Sequence, residues 1–128
     1  MKKLISIFLL LALVTLLAAA CDISGINSSS TGNGTPVHMG LIDFTQPTVT
    51  INKGDSLNLI NDTATVHIIQ NGTWKGDVQE NLTEAGAPSV NHLFNGNDSF
   101  TVGPFNTAGT FHLLCTVHPG MNLIVIVK

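Results

Sequence analysis

The sequence predicts an all-β domain of short strands, packed as a sandwich or a barrel. Two observations carry this. Past residue 21 no stretch repeats its apolar residues at helical spacing. Several stretches instead alternate apolar with polar residues, or run as short β-branched segments between turn formers. Alternation puts every second side chain on one face, so each segment offers one face to a core and one to solvent.

The elements follow in order. Val37 to Phe44 reads as a first strand and Thr48-Val49-Thr50-Ile51 as a second. Asn52-Lys53-Gly54-Asp55 is a turn, with Gly54 where positive φ is required. Leu57, Leu59 and Asn61 alternate on a third strand, and Val66 to Gln70 makes a fourth. Asn71 to Asn97 is rich in glycine and asparagine. A structureless loop of that length is uncommon inside a compact domain, so a short strand or helical turn is expected near Val90 to Phe94. Regular alternation resumes at Ser99 to Val102. Thr110 to Cys115 follows a turn at Thr107-Ala108-Gly109, and Leu123 to Val127 closes the sheet.

The domain is preceded by a leader and a linker. Lys2 and Lys3 open the chain, and Leu4 to Ala20 is apolar except for Ser6 and Thr15. A basic start, an apolar stretch and a small-residue end outline a secretory signal. The junction Leu17-Ala18-Ala19-Ala20-Cys21 resembles a bacterial lipoprotein signal, which implies that residues 1–21 are a signal peptide ending at a lipidated Cys21. An uncleaved anchor helix and simple secretion are the alternatives. Residues 22–36 are mostly Ser, Gly, Asn and Thr and bury too little to offset their ordering entropy, so they are expected to form a flexible linker. Fifteen such residues reach roughly 20 Å. The expected location is the extracytoplasmic face of a bacterial cell membrane, with residues 37–128 as the folded domain.

Charge excludes one class of function. Beyond Cys21 three lysines stand against eight carboxylates, and the chain has no arginine. Binding nucleic acid requires clustered basic side chains to neutralise phosphates, so it is not expected.

The chemistry lies near the C-terminus, in Cys115-Thr116-Val117-His118-Pro119-Gly120-Met121. Within seven residues the chain offers a thiolate, an imidazole and a thioether. His67, on another apolar segment, supplies a second imidazole. Two His, one Cys and a weak axial Met are the donors of a blue-copper electron-transfer site. With Cys21 lipidated, Cys115 is the domain's only cysteine. An exported cysteine without a partner invites a metal or a reactive thiol. Alternation turns Phe111, Leu113 and Cys115 inward and His112 outward, and His67 is expected to reach the site across the sandwich. His38, His92 and His112 are weaker candidates, read by default as exposed or loop-packing residues. Glu80 and Glu84 are read as loop acids that could instead approach the metal, and Trp74 as a core or lid residue.

Several segments together resemble the small cupredoxins of the plastocyanin, amicyanin and pseudoazurin type. They are Thr50-Ile51-Asn52-Lys53-Gly54-Asp55, Asn61, His67, Ala108-Gly109-Thr110-Phe111, and Cys115 through Met121. The spacing of the ligand loop is amicyanin-like. The resemblance implies a Greek-key β-sandwich of about eight strands. It also implies one type 1 copper ion held by His67, Cys115 and His118, with Met121 as a long axial ligand. Ile68 stands where many members carry an Asn that ties the ligand loops together, and Leu114 stands where plastocyanins carry Tyr.

The expected function is a membrane-tethered one-electron carrier rather than an enzyme, with a monomeric domain. Its partners would be redox proteins such as a membrane respiratory or photosynthetic complex, a cytochrome or an oxidase. A copper-delivery module without redox cycling and a red or open-site copper protein with a catalytic role are the alternatives.

Overall fold

The computed structural model describes residues 34–128. The leader, Cys21 and all but the last three linker residues lie outside the described residues. Ten strands are present: β1 (Thr35–Met39), β2 (Thr48–Ile51), β3 (Leu57–Asn61), β4 (His67–Asn71), β5 (Thr73–Lys75), β6 (Val78–Glu80), β7 (Asn91–Phe94), β8 (Ser99–Val102), β9 (Gly109–Cys115) and β10 (Asn122–Val127). Eight of them form two sheets, ordered β1-β3-β8 and β2-β10-β9-β4-β7, while β5 and β6 form a separate hairpin.

The burial pattern explains the packing. Along β10, Leu123, Val125 and Val127 are buried, and the residues between them are half-buried. In β2, Val49 and Ile51 are buried while Thr48 and Thr50 are exposed. The two strands pair in parallel with Val49 beside Val125, so their apolar faces fall in register. On the opposite sheet β1 and β3 also run parallel, with Val37 beside Leu59. The core between the sheets contains Val37, Met39, Leu57, Leu59, Ile69, Phe94, Leu113, Leu123 and Val125, none more than 1% exposed.

Three features differ from the sequence reading. The first strand begins at Thr35, two residues before Val37, and ends at Met39. There Gly40 donates its N–H to the Asp43 carbonyl at 2.9 Å, and the chain turns back so that Phe44 bridges Met39. Leu41 and Ile42 are left at an exposed tip. The second difference is the β5–β6 hairpin inside the stretch that gave no regular pattern. Its two-residue loop is Gly76-Asp77, with Gly76 at φ 59° and Lys75 paired with Val78. Gly-Asp between short polar strands is a hairpin signal, but strands of three residues are too short to show alternation. The third concerns β9, which is buried on both faces at its C-terminal end. Leu113 and Cys115 face the core, yet Leu114 is also 0% exposed. The start of the hairpin passes over it: a Cβ on Gly72 would lie 3.1 Å from Leu114 Cδ2 and would run into the Glu80 carbonyl.

Candidate metal centre

The site forms at one end of the five-stranded sheet, where β4 and β9 lie side by side. In their antiparallel register Ile69 pairs with Cys115. His67 therefore sits just past the end of β9, on the same inward face as Ile69. It reaches the site along the neighbouring strand of the same sheet and does not cross the sandwich. Cys115 and His67 are both 0% exposed. His118 comes from the loop between β9 and β10 and is half-buried.

The donor atoms converge. Cys115 Sγ lies 3.7 Å from His67 Nδ1 and 3.4 Å from His118 Nδ1, and the three donor atoms lie within 4.8 Å of one another. The rings of His67 and His118 are 4.7 Å apart at 54°. Metal bonds of about 2.3 Å to sulfur and about 2.0 Å to nitrogen, opened by about 100–120°, separate the donors by about 3.3–3.8 Å. Both sulfur–nitrogen separations fall in that interval, which fits one ion shared by the sulfur and the two imidazoles.

The protonation chemistry agrees. Burial, and then the neighbouring His118, push the pKa of His67 below its ordinary value, with the Gly40 backbone acting in the opposite direction. His67 Nε2 is buried without a hydrogen-bond partner. A neutral imidazole is the form that ligates a metal.

Backbone hydrogen bonds fix the loop. Cys115 N–H donates to the Met121 carbonyl at 3.0 Å, and Met121 N–H donates to the His118 carbonyl at 3.1 Å. Met121 is 2% exposed and forms part of the core. Thr116 N–H donates to the Ile68 carbonyl at 2.9 Å. That bond ties the two ligand segments together through the main chain, where no Asn side chain is available. The approach to His67 is organised by Asn61, which is 1% exposed. Its Nδ2 donates to the carbonyls of Thr65 (2.7 Å) and Asn95 (2.8 Å). Its Oδ1 accepts from Thr63 N–H (3.1 Å) and Thr63 Oγ1 (3.0 Å).

The weaker candidates lie elsewhere. His38 pairs with Asp62 at 2.7 Å. His92 stacks on Phe100 at 3.8 Å between centroids and meets Phe94 edge-on. His112 points away from the core as expected, but it is half-buried rather than free in solvent, because Glu84 covers it at 2.6 Å. Glu80 pairs with Lys75 at 2.7 Å. Trp74 lies outside the sandwich, and its indole N–H donates to the Cys115 carbonyl at 2.8 Å. Sequence reasoning did not assign it to the site, since a contact from a short hairpin strand to a main-chain carbonyl leaves no trace in spacing.

Around His118 the surface is apolar. Its chain neighbours Val117, at 45%, Pro119 and Gly120 are exposed.

No family model matches the chain, and none of the curated proteins does. Solved structures do match. Amicyanin from Paracoccus versutus (Thiobacillus versutus) is 25% identical with a TM-score of 0.57, covering 76% of this chain and 83% of that one. An oxidised proline-to-glycine variant of amicyanin is 20% identical with a TM-score of 0.58, covering 79% of this chain and 88% of that one. A Cu(I) form of a methionine-to-alanine variant is 20% identical with a TM-score of 0.57, covering 76% and 84%. The chain has the cupredoxin β-sandwich fold, and its donor set fits one type 1 copper ion.

Proposed function

We propose that this chain, with the fold of amicyanin and a convergent Cys-His-His donor set, is a one-electron carrier using a single type 1 copper ion. The observation that carries the reading is the buried thiol of Cys115 with two imidazole Nδ1 atoms within 3.7 Å of it. His67, Cys115 and His118 would hold the ion in this reading, with Met121 as a weak fourth donor. Copper would supply a Cu(I)/Cu(II) couple: thiolate and imidazole can hold the ion in both states, and the weak thioether would add donation that the electron-poorer Cu(II) gains from most.

The protein's part is to keep the donors still. Cys115 and His67 stand on adjacent hydrogen-bonded strands, and the loop carrying His118 is closed by main-chain bonds at both ends. A rigid donor set rearranges little when one electron arrives or leaves, which keeps the barrier low. His118 lies under an exposed apolar rim, which brings the site close to a docked redox partner and excludes water there. A delivery module would present accessible thioethers. Among the described residues both methionines, Met39 and Met121, are buried, which favours the carrier.

The reading also places the domain outside the cytoplasm, tethered through lipidated Cys21. The apolar stretch before Cys21 and the polar linker after it motivate this. Cys21→Ser should move the protein from membrane to soluble fractions, and unchanged partitioning would count against the anchor.

The test of the function is spectroscopic. Copper-loaded protein should show an intense visible thiolate-to-copper absorption and reversible one-electron reduction. Cys115→Ser should lose that absorption. A variant that keeps its colour would overturn the site.

A further inference from the structure

Trp74 holds both ends of the ligand loop from outside the sandwich. Its indole Nε1–H donates to the Cys115 carbonyl at 2.8 Å. Its backbone N–H donates to Asn122 Oδ1 at 2.7 Å, and its carbonyl accepts from Asn122 Nδ2 at 3.1 Å. Cys115 is the last residue of β9 and Asn122 the first of β10, so everything between them is the ligand loop. One residue of the β5–β6 hairpin thus bonds to the residue before the loop and to the residue after it. The hairpin is fastened to the same face by Gly72 N–H on the His112 carbonyl at 3.0 Å and by Glu84 on His112.

We propose that Trp74 is a positioning residue for the copper site. It fixes the Cys115 main chain, and hence the direction of Sγ, while holding the loop ends at constant separation in both oxidation states. The inference rests on the copper-carrier reading. A hydrogen-bond donor also has an electrostatic consequence. The positive end of the indole N–H dipole points toward the residue bearing the thiolate, and the oxidised site carries one more positive charge than the reduced one. The dipole therefore favours the reduced state.

The test uses Trp74→Phe, which keeps an aromatic ring and removes the donor, and Asn122→Ala, which releases the other end. The copper-loaded Trp74→Phe protein should keep its visible band. At fixed applied potential its Cu(I):Cu(II) ratio should fall by roughly threefold, about 30 mV for a one-electron couple, and its electron self-exchange should slow. Without copper, the amides of Thr116 and Met121 should exchange with solvent severalfold faster than in the parent. The double variant should change less than the sum of the two, since both substitutions open one clamp. Should Trp74→Phe fail to fold, Asn122→Ala, which leaves the indole donor in place, carries the self-exchange and amide-exchange readouts.

A loss of thermal stability with unchanged potential, self-exchange and amide exchange would make Trp74 a structural strap and overturn the inference. If the parent protein itself shows no thiolate-to-copper band, the carrier reading fails first, and that outcome is distinct from a coloured parent with an unaltered variant.

Discussion

Asn61→Ala tests how the approach to His67 is built. Asn61 is 1% exposed and makes four hydrogen bonds, two as donor to the carbonyls of Thr65 and Asn95 and two as acceptor from Thr63. The amide is fully used, and alanine would strand its partners in a half-buried loop. At about 0.5–1.5 kcal/mol net per bond, with some partners recovering water, the loss should be about 2–4 kcal/mol. For a domain of this size that lowers Tm by about 10–25 °C. Thr63 and Thr65 belong to the segment that delivers His67, so copper should also dissociate faster. Denaturant unfolding of the metal-free protein gives the first quantity, and transfer of copper to a chelator gives the second. Asn61→Asp is the control. It keeps the acceptor facing Thr63 but sets a second oxygen against two carbonyls, so it should not restore stability. A loss below about 0.5 kcal/mol, or rescue by Asp, would refute the reasoning.

Three further outcomes are expected. Met121→Leu, nearly volume-conserving in the core, should keep copper and colour while raising the reduction potential, because a donor that favours Cu(II) is removed; unchanged voltammetry would mean that Met121 only fills space. Pro119→Glu should slow electron transfer to a redox partner and leave the copper spectrum intact, since it places a charge on the exposed rim beside His118, and equal rates at every ionic strength would point to another exit surface. The pKa of His67 is lowered by folding, so between that pKa and about 6.5 the unfolded chain binds more protons. Metal-free protein should be fully stable in this respect above about pH 6.5 and lose stability as pH falls towards the lowered pKa, with a slope of at most about 1.4 kcal/mol per unit. His67→Gln should flatten that dependence in pH-resolved urea titrations.

Much of the fold was legible because it rests on period-two patterns. Thr48–Ile51, Leu57–Asn61 and Ser99–Val102 fall where alternation placed them, and the turn at Asn52 to Asp55 closes through Asp55 N–H on the Asn52 carbonyl. The three donors that the structure brings together were legible for a different reason. Cys115 and His118 sit close in sequence on a loop bounded by two strong strands, and a thiol with no partner restricts what its neighbours are for.

Other features depend on contacts between segments remote in sequence, which no local pattern encodes. Alternation said that Cys115 points inward, but only strand pairing decided that His67 arrives from the adjacent strand of the same sheet. Leu114, between the inward Leu113 and Cys115, is buried as well, because a hairpin too short to alternate folds over it. His112 gained Glu84 by the same packing. The sequence by itself determined the chemistry on offer, since donor identity is a property of side chains, and the strands that carry it, since burial of one face selects their period. The tertiary structure decided which donors meet and how firmly they are held. Those depend on main-chain carbonyls and amides, and these groups are the same at every residue until the fold chooses their partners.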